Sequence, residues 1–411
     1  MTKRIVVTGI GATSPVGGTA TDSWQNLLAG ASGTHTLQHD WVEEYQLPVN
    51  FAAEAAVQPS EVLPRHEAKK LDPSGQFALI AAREAWADAG EPEVEPERLG
   101  IDWATGIGGV WTLLDAWDTL RAKGPRRVMP LTVPMLMPNS SAGNLSLHFG
   151  ARAYARTYVS ACASSTESIA EAYRNLQDGL ADVIIAGGSE AAIHAITVAA
   201  FASAQALSRR IDDPEHASRP GAIDRDGFVM GEGAAALVLE TEEHAKARGA
   251  KIYAYLAGGG VTADSYHITA NDPEGRGAVR AVDLALAQAG RSADEVTHIN
   301  AHLTSTPVGD PNEYGALKKV FGDRIDDIPV SATKASTGHL LGGTGALEAV
   351  FTVLALRDRL APPTINMTEP DPAVPFRLST EPQQLGAGDQ LAISNSFGFG
   401  GHNAVVVFES A

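Results

Sequence analysis

The run Val-Ser-Ala-Cys-Ala-Ser-Ser-Thr at residues 159–166 returns in weaker form as Val-Ser-Ala-Thr-Lys-Ala-Ser-Thr at residues 330–337. Each run follows an apolar, strand-like stretch and precedes a helical pattern. An alanine-rich helix is predicted upstream of each run, at residues 77–90 and 278–290, and both helices end in glycine, a common stop signal. Two matches in the same order predict that the chain consists of duplicated halves.

Predicted strands alternate with helical segments in both halves. They lie at residues 5–8, 101–105, 183–187, 234–240, 252–257, 296–301, around 393, and 405–408. Short apolar strands between amphipathic helices indicate an α/β fold with buried sheets. We expect an N-terminal half at residues 1–250 and a C-terminal half at residues 251–411. The first half is longer, and its extra residues 111–144 are expected to line a pocket or a subunit contact.

The composition is that of a large, acidic protein with one cysteine. The chain has 411 residues, 44% of them hydrophobic, and a formal net charge of -18. Such a charge argues against general nucleic-acid binding, which needs a positive surface. One cysteine excludes an internal disulfide, and no apolar run reaches the roughly 18 residues that span a bilayer. We therefore expect a cytoplasmic protein without nucleic-acid or membrane partners.

Three pairs of basic residues interrupt the acidic background, at residues 69–70, 126–127 and 209–210. An acidic partner would need local basic patches of this kind to overcome the long-range repulsion. Each pair taken alone is more typical of an ordinary solvated surface. The pairs are therefore candidates for a docking surface only if another observation supports them.

Cys162 is the candidate nucleophile. It lies at or before the first turn of a helix predicted from Ser164 to about Leu180, where unpaired backbone N–H groups and the positive end of the helix dipole favour a thiolate. His302 and His339 occur far downstream in Gly- and Thr-rich segments. A cysteine with a distant histidine is the general signature of thiol-based acyl chemistry. Each residue alone is more often structural, but the three segments together favour a site.

Residues 5–14 begin like a dinucleotide-binding fingerprint, a strand followed by Gly-x-Gly. Ser14 replaces the third glycine, Pro15 follows it, and no acidic residue ends a second strand about 20 residues later. The chain also lacks CxxC and HExxH motifs. We therefore expect no nicotinamide cofactor, no flavin and no metal.

Taken together, these segments resemble the β-ketoacyl-acyl-carrier-protein synthases, most closely the type II condensing enzymes of bacterial fatty-acid synthesis in their actinobacterial form. The resemblance covers essentially the whole length. Its motifs are the Cys162 segment, both histidine segments, and residues 182–190, 224–233 and 395–403. The family has the thiolase fold, with duplicated βαβαβαββ halves in a five-layered α-β-α-β-α core, and works as a homodimer. The resemblance implies the same fold and assembly here.

The resemblance also implies a role for each candidate residue. Cys162 would take the growing acyl chain from acyl carrier protein as a thioester. His302 and His339 would hold the malonyl thioester carbonyl through their Nε2–H groups and stabilise the enolate formed when carbon dioxide leaves. The backbone N–H groups of Cys162 and Phe399 would form the oxyanion hole. The expected reaction is a decarboxylative Claisen condensation that extends the acyl chain by two carbons.

Further matches to the family surround these groups. Lys334 would orient and tune His339, with Glu348 in a supporting network. Ile107 and Phe201 match the positions that line the acyl pocket. The resemblance therefore implies a site built from both halves of the chain.

Two loops would gate this site, because the pocket must admit first an acyl chain and then malonyl. Phe399 matches the family's gating phenylalanine, and the second gate would lie at residues 264–269. The basic residues that could engage the acidic carrier protein are Lys69, Lys70, Arg126 and Arg127.

The sequence departs from the family pattern at three places. Leu303 stands where Gly or Ala usually follows the first catalytic histidine, and its bulk could slow catalysis or shift specificity. A common Arg-Pro-Phe-Asp run reads Arg-Pro-Gly-Ala at residues 219–222, and a carrier-contacting arginine position reads Gln205. None of these changes removes a catalytic group.

Three other members of the wider group are alternatives. A chain-length factor, the partner subunit of some polyketide synthases, typically lacks the nucleophile that Cys162 supplies. A thiolase typically needs a second cysteine, which this chain does not have. A pathway-specific type II polyketide ketosynthase would carry the same active-site residues, so the sequence leaves that alternative open.

Overall fold

In the computed structural model, which describes residues 3–411, strands and helices alternate along the chain. The strands are β1 (Ile5–Thr13), β2 (His35–Thr36), β3 (Phe51–Ala52), β4 (Leu99–Ala104), β5 (Tyr154–Tyr158), β6 (Val183–Glu190), β7 (Gly233–Thr241), β8 (Ala254–Ala263), β9 (His298–Asn300), β10 (Val330–Ser331), β11 (Leu360–Ala361), β12 (Gln383–Gln384), β13 (Leu391–Gly398) and β14 (His402–Ser410).

The helices are α1 (Ala20–Leu28), α2 (Asp40–Glu44), α3 (Pro59–Val62), α4 (Arg65–Ala68), α5 (Pro73–Asp88), α6 (Val110–Lys123), α7 (Thr132–Leu136), α8 (Ser140–Phe149), α9 (Ser164–Gln177), α10 (Ala195–Ser203), α11 (Glu242–Ala247), α12 (Arg276–Ala289), α13 (Gly309–Phe321), α14 (Lys334–Thr337) and α15 (Thr344–Asp358). Within residues 3–411, every helix is too short or too polar to cross a bilayer. The α/β class expected from the sequence is confirmed.

The main sheet has the order β10-β9-β13-β14-β8-β1-β7-β6-β4-β5, which is symmetric about its centre. Outward from β1, the pairs with β7 and β6 are antiparallel and the pairs with β4 and β5 are parallel. Outward from β8, the pairs with β14 and β13 are antiparallel and those with β9 and β10 are parallel. A short antiparallel pairing of β1 with β8 joins the two half-sheets. The duplication expected from the sequence is therefore present in the topology.

The helices form three layers around the two half-sheets. Helices α9 and α15 contact each other and strands of both half-sheets, so they form the central layer. Helices α5 and α8 pack on strands of the N-terminal half, whereas α12 packs on β8 and β14, and α13 contacts α12 and contributes to the same outer core. The result is the α-β-α-β-α order of five layers.

The strands alternate their side chains between two cores, as period-2 geometry requires. Ile184 and Leu237 belong to the central core, while their chain neighbours Ile185 and Val238 belong to the outer core under α5. In the C-terminal half, Val406 faces the central core and its neighbours on β14 face the core under α12. Both faces of each half-sheet are buried, which explains why the strands read as continuous apolar runs.

The helix echo in the sequence is confirmed, because α5 and α12 occupy equivalent places and end at Gly90 and Gly290, both with positive φ. The echo at residues 330–337 is wrong in register. It begins in β10 and continues into the short α14, whereas the structural equivalent of the Cys162 turn is the 3-10 turn Leu341–Gly343 before α15. The second half inserts α14 between its strand and its turn, which a sequence echo alone does not reveal.

The extra residues 111–144 fold into most of α6, all of α7 and the start of α8. Trp111 and Met135 line a surface groove of about 720 Å³. Leu113, Trp117 and Val133 are each more than half exposed. The insertion lines a groove, as expected, and the subunit contact stays a prediction.

Candidate active site

Cys162 lies on a tight turn at the N-terminus of α9. Ala161 has φ 51°, in the left-handed region that residues with a side chain seldom adopt, and Ala161–Ala163 form one 3-10 turn. The hydroxyl of Ser164 accepts from the backbone N–H of Ser160 at 2.9 Å and donates to the carbonyl of Ala161 at 2.6 Å. These contacts hold the turn open, so the partly exposed Cys162 thiol faces a cavity.

The end of β13 approaches this turn closely because residue 398 is glycine. A Cβ on Gly398 would lie 2.9 Å from both the backbone nitrogen of Cys162 and the carbonyl oxygen of Ser160. The approach brings the backbone N–H of Phe399, together with that of Cys162 itself, near enough to the thiol for both to lower its pKa. The oxyanion-hole donors expected from the resemblance therefore both lie at the nucleophile.

Burial of the Cys162 thiol opposes the thiolate that the helix N-terminus is expected to favour. Burial raises the pKa of the Cys162 thiol to about 11, although the N–H of Phe399 and the charge of Lys334 act to lower it. Desolvation of the sulfur is the largest influence on this pKa, because burial disfavours the charged form. The nucleophile must therefore lose its proton as it reacts.

The three candidate reacting side chains come together although they are far apart in the sequence. The Sγ of Cys162 and one ring nitrogen from each of His302 and His339 all lie within 4.8 Å of one another. The two imidazole rings are 5.6 Å apart at their centroids and nearly perpendicular, at 82°. These atoms could also ligate a metal, but the positive charge of nearby Lys334 opposes a cation there.

His339 is oriented by Thr344, a residue that the sequence analysis did not single out. The Nδ1 of His339 and the Oγ1 of Thr344 are 2.8 Å apart, and the His339 Nε2 is buried without a partner among the described residues. The ring of Phe228 packs edge-on against the imidazole, at 5.3 Å between centroids. Because a hydroxyl can donate or accept, Thr344 can support His339 with its proton on either nitrogen.

His302 is fixed through its backbone by Glu313. The carboxylate of Glu313 accepts the backbone N–H of His302 at 2.9 Å and that of Leu303 at 2.8 Å. The amide of Asn395 donates to the same carboxylate at 3.2 Å. Glu313 is itself buried on α13, and burial raises its pKa to about 7. The sequence analysis missed this residue, whose only signal was an acidic position 11 residues after the histidine.

Lys334 and Glu348 form an ion pair in the interior. Both side chains are 1% exposed, and the Lys334 Nζ donates to the Glu348 Oε1 at 2.6 Å. The bonds of the Lys334 ammonium within residues 3–411 do not include one to His339, so Lys334 affects that ring by its charge while Thr344 orients it. Burial of both groups makes this pair costly to break on one side only.

Both histidines are neutral in the folded protein. Burial, then the charge of Lys334, and then the repulsion that a protonated His339 would exert hold the pKa of His302 well below its ordinary value. Burial and the same ammonium lower the pKa of His339. A neutral imidazole can donate one N–H to an oxygen that gains negative charge, without a prior cost of charging the ring.

The triad lies on a cavity of about 1000 Å³. Ile107, Phe201 and Phe399 line it together with Cys162 and both histidines, so the predicted acyl-pocket and gate positions are on the same cavity as the nucleophile. Lys334 and Glu348 lie behind the wall rather than on it. The rings of Phe201, Phe228 and His339 form a continuous edge-to-face series.

Two of the three departures from the family pattern lie at the cavity, and the third does not. Leu303 lines the cavity but is 1% exposed and belongs to the C-terminal half's outer core, which absorbs much of its bulk. Gln205 lies at the cavity with φ 56°. Gly221 and Ala222 do not line the cavity.

The predicted carrier-binding residues lie outside the cavity. Lys69 and Arg127 line the 720 Å³ groove with Arg65 and Trp111. Lys70 and Arg126 are exposed but line neither space. Among residues 3–411, none of these four predicted cations forms an ion pair with a carboxylate.

A duplicated five-layer fold with a cysteine and two neutral histidines on one cavity defines the class of thiol-dependent acyl-transfer enzymes with the thiolase fold. Family models described as the beta-ketoacyl synthase N-terminal and C-terminal domains match residues 2–245 and 253–368. The chain belongs to the beta-ketoacyl synthase family. The resemblance found from the sequence is thereby confirmed.

Individual relatives agree with this assignment. The chain is 45% identical to a 3-oxoacyl-[acyl-carrier-protein] synthase 2 of Staphylococcus aureus (strain COL), covering 99% of this chain and 98% of the relative. It is 44% identical to the protein of the same name from Synechocystis, with the same coverage.

Solved structures match the whole fold. A beta-ketoacyl synthase from Burkholderia phymatum superposes with a TM-score of 0.90 at 35% identity, covering all of both chains. A structure described as a type II PKS acyl-carrier protein in complex with its ketosynthase bound to the hexaketide gives a TM-score of 0.91 at 30% identity, again over all of both chains. The thiolase fold expected from the sequence is confirmed.

Proposed function

We propose that the protein condenses an acyl-acyl-carrier protein with malonyl-acyl-carrier protein, giving a 3-oxoacyl-carrier protein and carbon dioxide in fatty-acid chain elongation. The observation that carries this proposal is the meeting of Cys162, His302 and His339 within 4.8 Å on one large cavity. The curated relatives at 44–45% identity bear the name of this activity over their full length.

The first half-reaction transfers the acyl group to Cys162. The sulfur attacks the carrier thioester carbonyl, the carbonyl oxygen takes up charge between the N–H groups of Cys162 and Phe399, and the carrier thiol leaves. The proton of the Cys162 thiol passes to the leaving carrier sulfur. The carrier thioester and the Cys162 thiol are thereby replaced by an acyl-Cys162 thioester and a free carrier thiol. Because the thiol pKa is about 11, an acceptor must lie close, and the unpartnered Nε2 of His339 is such a group.

The second half-reaction forms the carbon–carbon bond. Loss of carbon dioxide leaves an enolate whose oxygen accepts hydrogen bonds from the neutral imidazoles of His302 and His339. For this step His339 takes its other neutral tautomer, with the proton on Nε2 and the Thr344 hydroxyl donating to Nδ1. Its carbon attacks the acyl-Cys162 carbonyl, and the Cys162 sulfur leaves and recovers a proton from solvent. Preorganised donors in a site closed to water are worth about 3–4 kcal/mol each to such a charge.

Lys334 and Glu348 support this chemistry from behind the wall. The ammonium of Lys334 adds to burial in lowering the pKa of both histidines, and Glu348 balances its charge in the interior. Thr344 orients His339, and Glu313 fixes the backbone at His302.

The walls and gate of the cavity suit a two-substrate reaction. Ile107 and Phe201 offer apolar surface to an acyl chain next to Cys162. The backbone N–H of Gly400, next to Phe399, donates to the carbonyl of Ile268 at 2.7 Å, so the two predicted gating loops are linked. We propose that they move together when the second substrate enters.

The partner in both half-reactions would be acyl carrier protein. A solved structural relative is a ketosynthase in complex with its acyl-carrier protein. On this chain, with its net charge of -18, an acidic carrier needs a local positive surface. Lys69, Lys70, Arg126 and Arg127 are exposed and supply one.

We also propose that the protein is a homodimer with halves divided near residue 250. Strand β5 ends the sheet with an open edge, and next to it Val159 is 52% exposed. Trp117 and Val133 add exposed apolar side chains on the insertion, which a subunit contact would cover. Sedimentation should give twice the mass of one chain, and a single-chain mass would overturn this assembly.

Mass spectrometry of one reaction tests the function. The protein is mixed with medium-chain acyl-carrier protein and malonyl-carrier protein, and both the Cys162 peptide and the carrier-bound products are followed, with Cys162→Ala as control. We expect acylation of Cys162 and a 3-oxoacyl product two carbons longer. An unmodified Cys162 with no extended product at any chain length would reject the proposal, and extension only of poly-β-keto chains would indicate a polyketide ketosynthase.

A further inference from the structure

Glu190 is a buried carboxylate that the proposed reaction does not use. It ends β6, in the motif at residues 182–190, and is fully buried. Its carboxylate makes no ion pair among the described residues and instead accepts four hydrogen bonds. The donors are the backbone N–H groups of Gly106 at 2.7 Å, Gly342 at 3.0 Å and Ile107 at 3.2 Å, and the hydroxyl of Thr105 at 3.0 Å.

These donors come from two loops that both line the cavity. One loop carries Ile107, and the other is the 3-10 turn Leu341–Gly343, whose Leu341 has φ 48°. The loops belong to different halves of the chain, and Glu190 is bonded to both. The loops also touch directly, since a Cβ on Gly342 would lie 2.1 Å from the backbone nitrogen of Gly106.

The internal duplication places a comparable arrangement at the end of β13, in the other half of the chain. β6 and β13 occupy equivalent places, and each ends beside a 3-10 turn at the start of a central helix. At the end of β13, Gly398 leaves room for the Cys162 turn. At the end of β6, the side chain of Glu190 fills the corresponding space. Its carboxylate accepts the N–H of Gly342, and in the other half the Cys162 thiol lies near the N–H of Cys162.

We propose that Glu190 is a positioning residue that fixes the distance between Ile107 and Leu341 and thereby sets which acyl chain lengths fit beside Cys162. Four hydrogen bonds to the Glu190 carboxylate hold the two loops together. The positions of the Ile107 and Leu341 side chains at the cavity therefore depend on this carboxylate. An acyl group responds strongly to such a wall, since one misplaced methylene changes discrimination by roughly tenfold or more. This inference rests on the proposed acyl transfer to Cys162.

The substitution Glu190→Gln tests the role with little change in shape. Each carboxylate oxygen receives two donors, at least one of which is a backbone N–H, so the amide nitrogen of the variant must face a group that can only donate and the two loops separate. We expect the ratio of Cys162 acylation efficiency between short and medium acyl-carrier substrates to change by about fivefold or more. Mass spectrometry of the single cysteine gives the ratio directly.

Glu84→Gln is the matched control. Glu84 is another mostly buried carboxylate that accepts backbone N–H groups, from Ala12 at 2.8 Å and Ala20 at 2.9 Å, but it does not line the cavity. We expect a similar loss of thermal stability in both variants and a change in the chain-length ratio only for Glu190→Gln. An unchanged ratio in Glu190→Gln, or an equal change in Glu84→Gln, would overturn the proposal.

A milder pair keeps the test decisive if Glu190→Gln does not fold. Thr105→Val removes one donor to Glu190 and the acceptor for the Gly108 N–H at 3.1 Å, while Thr105→Ser keeps both. The ratio should change in the valine variant and recover in the serine variant. If the wild-type protein is not acylated by any chain, the proposed function fails; if it is acylated and all ratios are equal, only the role of Glu190 fails.

Discussion

The centre of the molecule holds two 3-10 turns, Ala161–Ala163 and Leu341–Gly343. They have the same backbone shape but carry different residues and have different neighbours. Both begin with a residue in the left-handed region and lead into a central helix. The first carries Cys162 and opens on the cavity, whereas the second carries Gly342 and is closed by the carboxylate of Glu190. A duplicated fold supplies two equivalent turns, and the residue at the end of the opposing strand decides which one can hold a nucleophile.

The difference also extends to the charges behind the two turns. The C-terminal half supplies the buried Lys334–Glu348 pair and both histidines, which surround the thiol of the N-terminal half. Catalysis in this arrangement needs both halves, while each half alone has only part of the chemistry. This comparison gives four predictions.

The largest effect is expected from Cys162→Ser, which removes the thiol from the open turn. A hydroxyl is a much weaker nucleophile, so condensation should fall about 1000-fold or more with little change in stability. Product formation measured by mass spectrometry checks the rate, and thermal melting checks the fold. Activity within tenfold of the wild type would remove Cys162 from the mechanism.

Lys334→Met should lower the free energy of unfolding and also shift the pH profile of activity. It leaves Glu348 buried without its partner, which costs about 3–5 kcal/mol in urea unfolding. Because the ammonium lowers the pKa of both histidines, its loss should raise those pKa values and move the acidic limb of activity to higher pH. The double variant Lys334→Met/Glu348→Leu should recover stability but keep the shifted limb, and a variant with an unshifted limb would contradict the electrostatic role.

Gly342, which lies in the second turn, and Gly398, which faces the first turn, should respond differently to alanine. In Gly342→Ala the new Cβ meets the backbone of Gly106 at 2.1 Å, and we expect a loss of about 1–3 kcal/mol in unfolding free energy. In Gly398→Ala the contact with the Cys162 turn is 2.9 Å, so stability should fall less and activity more. Gly143→Ala, with open space around its Cβ, is the control and should be neutral or stabilising. Equal losses of stability and activity at Gly342 and Gly398 would remove the distinction between the turns.

The smallest effect is the pH dependence of Cys162 alkylation by iodoacetamide. With a thiol pKa raised to about 11, the thiolate fraction should rise about tenfold per pH unit up to at least pH 9. The single cysteine makes labelling unambiguous by mass spectrometry. A plateau near pH 7 would instead indicate a thiolate stabilised at rest by the helix N-terminus.

Local patterns were sufficient for most elements of the fold. Alanine-rich helices with glycine stops predicted α5 and α12, and apolar runs predicted the long strands, because propensity, periodicity and end signals agree there. The echo at residues 330–337 failed in register, because α14 is inserted before the true turn and its few residues resemble the helix start of the first half. Sequence similarity between halves does not report where an insertion falls.

The candidate site was predicted in part. Cys162 and the two histidines were found from residue type and context, and the resemblance supplied Lys334, Glu348 and Phe399. Thr344, Glu313 and Glu190 were missed, since a buried hydroxyl or carboxylate has no distinct local pattern and acquires its role from partners far away in the chain. The same limitation explains why the sequence reveals only the influence that favours a thiolate: a helix N-terminus is local, whereas the desolvation that raises the thiol pKa is not.

The sequence by itself determined the duplicated α/β architecture, the single nucleophile and the family to which its motifs belong. Only the tertiary structure decided that burial raises the pKa of the thiol and lowers the pKa of both histidines, and that Thr344 rather than Lys334 hydrogen-bonds to His339. It also decided that Glu190 closes the second turn. The physical reason is that covalent order fixes residue types and their periodicity, whereas burial, charge coupling and hydrogen-bond partners arise when α9, α15 and the two half-sheets bring distant residues together.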